Sequence, residues 1–178
     1  YDGKGQVRVR TPLELSAAWE RLGSVPCVLE QLLPLAAELS VIVVRGADGS
    51  IVNFPVQQNL HRDGILAVTE VPATGVDAAL QQQAVASARQ VAEAMGYVGV
   101  LCIEFFLLQD GRLVVNEMAP RPHNSGHYTL DGCDVSQFEM QVRAMAGLPL
   151  VACGVLKIAY DLSLYRLFGR DRPKSDET

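Results

Sequence analysis

The sequence has no CxxC pair, no run of basic residues and no apolar segment of membrane-spanning length. Its four cysteines are widely separated, so we expect neither a zinc site nor a disulfide framework. The net charge is -5 and no basic patch is interleaved with aromatic residues, which argues against nucleic acid as a partner. No apolar segment reaches about 18 residues and no charged-then-apolar leader opens the chain, so we expect no membrane insertion and a cytoplasmic location.

Hydrophobic residues, in contrast, make up 49% of the chain, which is enough to bury a sizeable core. Helix-period and strand-period segments both occur, and they predict an α+β fold. The predicted strands are Gln6–Arg10, Val28–Leu33, Leu39–Arg45, Ile51–Gln58, Ile65–Val71 and Tyr97–Leu108. The predicted helices begin at the Thr11 capping box, at Asp77 and at Asp134; the last has Phe138, Val142 and Met145 inward.

Two short turn motifs allow the strand register to be counted. If Asp48-Gly49 is a two-residue hairpin turn, Asn59 faces Glu38 across the sheet, and His61 lies two residues further on the same side. Pro55 cannot donate in a strand ladder, so a bulge there would change the count. The alternative for His61 is an ordinary surface histidine in a polar loop.

The second turn, Asp110-Gly111, places Leu108 opposite Leu113 and Glu104 opposite Glu117. Carboxylates whose Cβ atoms lie about 4.5 to 5.5 Å apart repel each other, so something should neutralise them. A divalent cation such as Mg2+, with Asn116 beside the two acids, is the favoured explanation. A shared proton or an arginine partner are the alternatives.

A loop rich in functional groups follows that second acid. In VVNEMAPRPHNSGH, an apolar strand breaks at two prolines into a loop that carries Arg121 and His123. Arginine and histidine suit an anionic substrate or proton transfer. The alternative is a polar surface loop after an edge strand.

The chain opens with YDGKGQ, in which two glycines flank Lys4. The backbone amides of such a loop can approach phosphate oxygens closely, although an ordinary turn has the same composition. The chain starts at Tyr1 rather than at a methionine, in the middle of this loop, and we therefore expect it to be a fragment.

Several strings together resemble the ATP-grasp family, and within it the 5-(carboxyamino)imidazole ribonucleotide synthases. They are YDGKGQ, LEQLLPLAAELSV, QQNLHRDGIL, YVGVLCIEFF and NEMAPRPHNSGH followed by SQFE. The resemblance implies an ATP-grasp fold with antiparallel or mixed sheets and packing helices. It further implies ATP and Mg2+ as cofactors and ATP-dependent carboxylation of 5-aminoimidazole ribonucleotide with bicarbonate, through carboxyphosphate or the carbon dioxide released from it, in purine biosynthesis.

Roles for individual residues also follow from the resemblance. Nucleotide contacts are expected at Asp2, Gly3, Lys4, Gly5, Gln6, Glu30, Gln31, Leu33, Glu38, His61 and Asn116. Glu104 and Glu117 match the metal acids, and Arg121 and His123 match residues of the carboxylation step. Asn124, Ser125 and His127 are expected on the ribonucleotide side, with loop-shaping hydrogen bonds as the alternative.

The resemblance covers residues 1–150, which we expect to form part of the ATP-grasp region, whereas 151–178 is expected to be a divergent or truncated C-terminal segment. It also implies a homodimer and a missing N-terminal domain, without which the fragment should be inactive. Two alternatives remain: an ATP-grasp enzyme like the formate-dependent glycinamide ribonucleotide transformylase, and a non-catalytic ATP-binding module.

Overall fold

The computed structural model describes residues 5–62 and 65–150. The strands in this part of the chain are β1 (Leu35–Arg45), β2 (Ile51–Asn53), β3 (Gln57–Arg62), β4 (Ile65–Glu70), β5 (Gly99–Leu108) and β6 (Leu113–Ala119). The α-helices are α1 (Leu15–Arg21), α2 (Ala78–Ala94), α3 (Thr129–Gly132) and α4 (Gln137–Met145). Short 3-10 turns precede α1 and α3, at Pro12–Glu14 and Asn124–Gly126. The predicted α+β class is confirmed.

All strands belong to one antiparallel sheet with the order β4-β3-β1-β5-β6, and β2 pairs with β1 beyond the end of β3. Strand β1 is the longest, and it lies between β3 and β5. Residues on this strand therefore have neighbours on both sides, which suits a site assembled from several strands.

One face of the sheet forms the main hydrophobic core. Leu39, Val41 and Val43 of β1 point to this face together with Ile103 and Phe105 of β5, and all five are almost fully buried. Helix α2 covers them through a stripe of fully buried alanines: Ala84, Ala88 and Ala92. Small side chains at this spacing let the helix approach the sheet closely, so α2 is a packing helix.

The opposite face of the sheet is divided into an apolar half and a polar half. Ile42 and Cys102 lie in the apolar half, where Met140 and Ala144 of α4 pack on them. The prediction that Phe138, Val142 and Met145 face inward is wrong, since their exposed fractions are 40%, 64% and 71%. The inward residues of α4 are Gln137, Met140 and Ala144, because the loop before the helix offers the buried glutamine hydrogen-bond partners.

Both predicted two-residue turns are in fact three-residue loops. Gly46 N–H donates to the Ser50 carbonyl, and Leu108 N–H donates to the Arg112 carbonyl, so three residues lie inside each loop. The last of them is a glycine with positive φ, 84° at Gly49 and 83° at Gly111. A left-handed glycine at this position is the usual solution for a three-residue hairpin loop.

Compared with a two-residue turn, each three-residue loop shifts the strand register by one residue. An extra residue further along the returning chain restores it. In the first hairpin the correction falls around Pro55, between β2 and β3, and Glu38 lies opposite Asn59 as predicted. In the second, Asn116 is an extra residue between the Phe105–Val115 and Glu104–Glu117 pairs. Both predicted pairs are confirmed. The Leu108–Leu113 pair is wrong, because Leu113 pairs with Leu107.

The beginning of the chain differs from the prediction. Gln6–Arg10 and Val28–Leu33 form no strand, and Val28 and Leu29 are 85% and 73% exposed. Strand β1 already has a partner on each side, and the second of these segments pairs with no strand of the described sheet. The predicted first helix is present as the Pro12–Glu14 turn and α1. Within the described ranges, no helix is long and apolar enough to cross a membrane.

Candidate functional site

The polar half of the second sheet face is the candidate site. Glu38 and Ser40 of β1 lie on this face, and Ser40 pairs directly with Glu104 of β5, which in turn pairs with Glu117 of β6. Asn59 of β3 continues the row beside Glu38. Four neighbouring strands therefore bring polar side chains to one surface, beyond the region that α4 covers.

The Glu104–Glu117 pair is the electrostatic centre of this surface. The Glu104 side chain is only 15% exposed, whereas Glu117 is exposed at the sheet edge. Burial, and then the negative charge of Glu117, raise the pKa of the Glu104 carboxyl above its usual value. Asn116 opposes this shift with a side-chain hydrogen bond to Glu104. The β-bulge at Asn116 explains how two consecutive residues of β6 act on the same carboxylate.

His123 completes a cluster with the two acids. Its Nε2 lies 3.6 Å from Glu104 Oε1, and the potential ligand atoms of Glu104, Glu117 and His123 all lie within 4.8 Å of one another. Burial and the positive charge of Arg121 lower the pKa of the imidazole, which favours the neutral ring. The Ser125 N–H donates to His123 Nδ1 at 3.4 Å, so Nδ1 is an acceptor.

The donor set of this cluster suits a hard cation. A neutral ring that accepts at Nδ1 carries its proton on Nε2, so the nitrogen facing the acids has no free lone pair. The ligands that remain are carboxylate oxygens, which fit Mg2+ better than a transition metal that prefers nitrogen or sulfur. Glu104 and Glu117 are therefore the residues that could hold such an ion.

A second acid–histidine pair lies one strand away. His61 Nδ1 is 2.6 Å from Glu38 Oε2, although the two groups are not aligned as a hydrogen bond. The predicted convergence of Glu38, Asn59 and His61 is confirmed, and all three line one cavity of about 340 Å³. The charges of His61 and Glu38 both act on Glu104, so this cavity adjoins the acidic pair.

A buried polar network beneath the site was missed by sequence reasoning. Asn59 donates to Ser40 Oγ at 2.9 Å, Ser40 donates to Gln57 at 3.1 Å, and Gln57 donates to the Tyr128 hydroxyl at 3.1 Å. Thr69 of β4 donates to Asn59 at 3.2 Å. The signal was available in the sequence, because Ser40 interrupts the apolar alternation of β1.

The described residues of the predicted phosphate loop lie near Glu30 and Gln31, two other predicted nucleotide contacts. Gly5 and Gln6 line a cleft of about 610 Å³ together with Glu30 and Gln31. Leu33, also predicted here, is half-buried and does not line this cleft. The remaining phosphate-loop predictions, Asp2, Gly3 and Lys4, lie outside the described residues.

The predicted substrate residues occupy different environments within the loop after β6. Arg121, Asn124 and His127 are exposed, and the His127 ring stacks on Phe138 with centroids 6.0 Å apart. Ser125 has no exposed surface, and its hydroxyl lies 3.0 Å from His123 Nδ1. For Ser125 the geometry therefore favours the loop-shaping alternative.

Two further side chains hold this loop against the sheet. The Tyr97 hydroxyl donates to the Pro120 carbonyl at 2.8 Å, which fixes the loop where it leaves β6. Gln137, which sequence reasoning did not single out, hydrogen-bonds to both the N–H and the carbonyl of His123. A glutamine at the start of a helix carries no distinctive pattern, so only the structure identifies this contact.

Comparison with known proteins shows the relationships of this chain. The ATP-grasp domain model matches residues 1–138. The N5-carboxyaminoimidazole ribonucleotide synthase of Bacillus subtilis is 47% identical over 157 residues, covering 88% of this chain and 41% of the relative. The Pseudomonas aeruginosa protein of the same name is 47% identical over 150 residues, covering 84% of this chain and 41% of the relative.

Solved structures agree with these sequence matches. An ADP complex of an N5-carboxyaminoimidazole ribonucleotide synthetase superposes with a TM-score of 0.78 at 44% identity, covering 84% of this chain and 40% of that structure. The Aspergillus clavatus enzyme with ADP and 5-aminoimidazole ribonucleotide gives 0.76 at 36% identity, covering 82% of this chain and 39% of that structure. The chain thus spans about two fifths of the length of these relatives.

Proposed function

Because this chain belongs to the ATP-grasp family, we propose that the complete protein carrying it is an ATP-dependent 5-(carboxyamino)imidazole ribonucleotide synthase. The observation that carries this proposal is the Glu104–Glu117–His123 cluster, followed directly by the Arg121 loop. Relatives with the name N5-carboxyaminoimidazole ribonucleotide synthase match 84% to 88% of this chain at 47% identity. The substrates are ATP, bicarbonate and 5-aminoimidazole ribonucleotide.

The reaction consists of two transfers. A bicarbonate oxygen attacks the γ-phosphorus of ATP, and the bond to the β,γ-bridging oxygen breaks, which gives carboxyphosphate and ADP. The exocyclic amine of the ribonucleotide then attacks the carboxyl carbon, or the carbon dioxide released from it. Phosphate leaves, the amine loses one proton, and the carboxyamino product remains. Both transfers concentrate negative charge, so the site needs positive charge and hydrogen-bond donors.

Glu104 and Glu117 would hold Mg2+, with Asn116 beside them and nucleotide phosphates completing the shell. The ion would supply charge neutralisation to the phosphates during transfer. Burial and the charge of Glu117 raise the pKa of Glu104, and a bound cation would oppose this shift by favouring the ionised carboxylate.

Arg121 and His123 would serve the carboxylation step. The Arg121 side chain is exposed, and its guanidinium donates only to the adjacent Pro122 carbonyl at 2.9 Å among the hydrogen bonds described, so it remains available for bicarbonate or carboxyphosphate. His123, with its lowered pKa, is a neutral ring beside the acids and suits proton transfer near neutral pH.

The remaining residues divide between the nucleotide and the acceptor. Contacts to ATP are proposed for Asp2, Gly3, Lys4, Gly5, Gln6, Glu30, Gln31, Leu33, Glu38 and His61. The clustering of Gly5, Gln6, Glu30 and Gln31 around one cleft supports part of this set. Asn124 and His127 are exposed on the side proposed for the ribonucleotide. We further propose that the complete protein is cytoplasmic and forms a homodimer. Light scattering of the complete protein tests the dimer through its molar mass.

Phosphate release separates this function from its alternatives. The complete protein is incubated with Mg-ATP and 5-aminoimidazole ribonucleotide, with either bicarbonate or formate as the one-carbon source. We expect release that depends on bicarbonate; release independent of bicarbonate would exclude the proposal.

Replacing Arg121 with methionine should lower the bicarbonate-dependent rate by about 10²-fold to 10³-fold, as for loss of one charge-stabilising donor. Arg112→Met is the matched control, because Arg112 lies in a hairpin loop and pairs with Asp110 on the surface. Its rate should match that of the wild type.

A further inference from the structure

Gln137, the first residue of α4, forms two hydrogen bonds to the main chain of His123. Its side chain has no exposed surface. The amide oxygen accepts a hydrogen bond from the His123 N–H at 2.9 Å, and the amide nitrogen donates to the His123 carbonyl at 2.7 Å. Two bonds from one planar group fix both the position and the orientation of the His123 backbone.

The helix end that carries this glutamine is itself anchored. The Gln137 N–H donates to Thr129 Oγ1 at 2.9 Å, and Thr129 donates to the Gly126 carbonyl at 2.7 Å. A Cβ atom on Gly126 would lie only 2.5 Å from the Gln137 amide oxygen. The loop and the start of the helix are therefore closely packed, and this packing restricts movement of the Gln137 side chain that holds the His123 main chain.

Ser125 determines which nitrogen of the His123 ring carries the proton. The Ser125 N–H lies 3.4 Å from Nδ1, and its hydroxyl lies 3.0 Å from the same atom. A backbone N–H can only donate, so Nδ1 accepts and the proton of the neutral ring is on Nε2. Below the serine, the fully buried Cys102 sulfur lies 3.8 Å from Oγ, and its thiol can donate to it. The serine hydroxyl is then free to donate to Nδ1 as well.

We infer that Gln137 and Ser125 are positioning residues for His123, which together make its ring present Nε2–H toward Glu104 and the adjoining site. Gln137 fixes the backbone from which the ring projects, and Ser125 fixes the tautomer. His123 is thus a hydrogen-bond donor to an anionic oxygen rather than a ligand that offers a lone pair to a cation. This inference deepens the proposed function. Its predicted effect on kcat rests on that function, whereas the assignment of the His123 tautomer is independent of it.

Nitrogen-15 NMR of the imidazole tests the tautomer directly. The complete protein is labelled at histidine nitrogens and measured in EDTA, and His123→Gln identifies the signal. We expect an unprotonated Nδ1 and a protonated Nε2 in the wild type, and the same tautomer in Ser125→Ala, which keeps the backbone N–H that donates to Nδ1. A wild-type ring protonated at Nδ1, or a shift of the proton to Nδ1 in Ser125→Ala, would overturn the assignment to the Ser125 N–H.

Measurement of kcat tests whether the hydrogen bonds from Gln137 position His123. Gln137→Met keeps the side-chain length but removes both hydrogen bonds to His123. Gln141→Met is the matched control, because Gln141 lies one turn along α4 and its amide oxygen accepts from the Val100 N–H, away from the acids. Misplacement of a reacting group by about 1 Å costs up to 10²-fold, so we expect kcat to fall at least about tenfold in Gln137→Met relative to Gln141→Met.

The KM for ATP should change by less than about twofold in both variants, because the hydrogen bonds of Gln137 go to His123 and Thr129 and to none of the described nucleotide residues. An equal kcat in the two variants would refute the role of Gln137. If Gln137→Met does not fold, Gln137→Glu is compared with the wild type, because it keeps the oxygen that accepts from the His123 N–H and loses the donor to the His123 carbonyl. An unchanged kcat there would count against the inference. Absence of carboxylation in the wild type would refute the proposed function and leave the NMR result to decide the tautomer.

Discussion

Replacing Glu104 with glutamine should stabilise the cation-free protein and destabilise the cation-bound protein relative to the wild type. Glu104 lies directly opposite Glu117, and its side chain is only 15% exposed. Glutamine keeps the length of the side chain and an oxygen that can accept from Asn116, but it removes the repulsion. The sign of the effect should therefore reverse when a divalent cation binds.

The magnitude follows from the strand pairing. Favourable cross-strand pairs contribute about 0.2 to 1 kcal/mol, and we expect a like-charge pair to destabilise the sheet by a similar amount. The low exposure of Glu104 favours the upper end. A ligand present at about 100 times its Kd adds about 2.7 kcal/mol to the wild type, whereas a hundredfold weaker site adds only about 0.4 kcal/mol. The free energy of unfolding of Glu104→Gln should thus be about 1 kcal/mol higher than that of the wild type without cation, and about 1 kcal/mol lower with it.

The pH dependence of this difference has a definite direction. The folded pKa of Glu104 is raised above its usual value of 4.5, so between the two values the folded state holds a proton that the unfolded state has released. The stability of the wild type relative to Glu104→Gln therefore falls as the pH rises through this window. The advantage of the variant should be absent below pH 4.5 and complete above the raised pKa.

Urea denaturation of the complete protein, in EDTA and with saturating Mg-ADP, measures these free energies of unfolding. Glu93→Gln is the control, because Glu93 is an exposed carboxylate on α2, which packs on the other face of the sheet. It should change neither free energy. If Glu104→Gln is less stable than the wild type in EDTA, or if both gain equally from Mg-ADP, the cation assignment is wrong.

Two further substitutions and one labelling experiment test the packing around the site. Gly126→Ala should cost about 1 to 3 kcal/mol through overpacking, whereas Gly132→Ala, whose nearest side-chain atom would be 3.6 Å away, should cost little in the same urea experiment. Tyr97→Phe loses the 2.8 Å hydrogen bond to the loop after β6, which should lower the free energy of unfolding by about 0.5 to 1.5 kcal/mol. Burial raises the pKa of the Cys102 thiol to about 12, so mass spectrometry after thiol labelling of the native protein at pH 8 should find Cys27 modified and Cys102 intact.

The two acid-bearing pairs could be predicted from the sequence, but only because two errors cancelled in each hairpin. A count from two-residue turns gave Glu38–Asn59 and Glu104–Glu117, and both pairs exist. The turns have three residues, and one extra residue on each returning side, around Pro55 in the first hairpin and at Asn116 in the second, restores the register. Asn116 occupies one bulge, which shows that a register irregularity can be part of the site rather than a defect.

The parts that sequence reasoning missed depend on tertiary contacts. Periodicity alone favoured Phe138 and Val142 as the inward residues of α4, whereas Gln137 faces inward because His123 offers it two main-chain partners. The apolar Val28–Leu33 segment matches a strand by composition, but it pairs with no strand of the described sheet. Neither outcome follows from local propensity, which tertiary context overrides.

The fate of the bicarbonate oxygens tests the central claim most directly. The complete protein is given Mg-ATP, 5-aminoimidazole ribonucleotide and bicarbonate labelled with oxygen-18, and the released phosphate is analysed by mass spectrometry. Attack of a bicarbonate oxygen on the γ-phosphorus predicts one labelled oxygen in each phosphate, together with the carboxyamino product. Unlabelled phosphate, in which water has supplied the fourth oxygen beside the three from ATP, would contradict the proposed reaction.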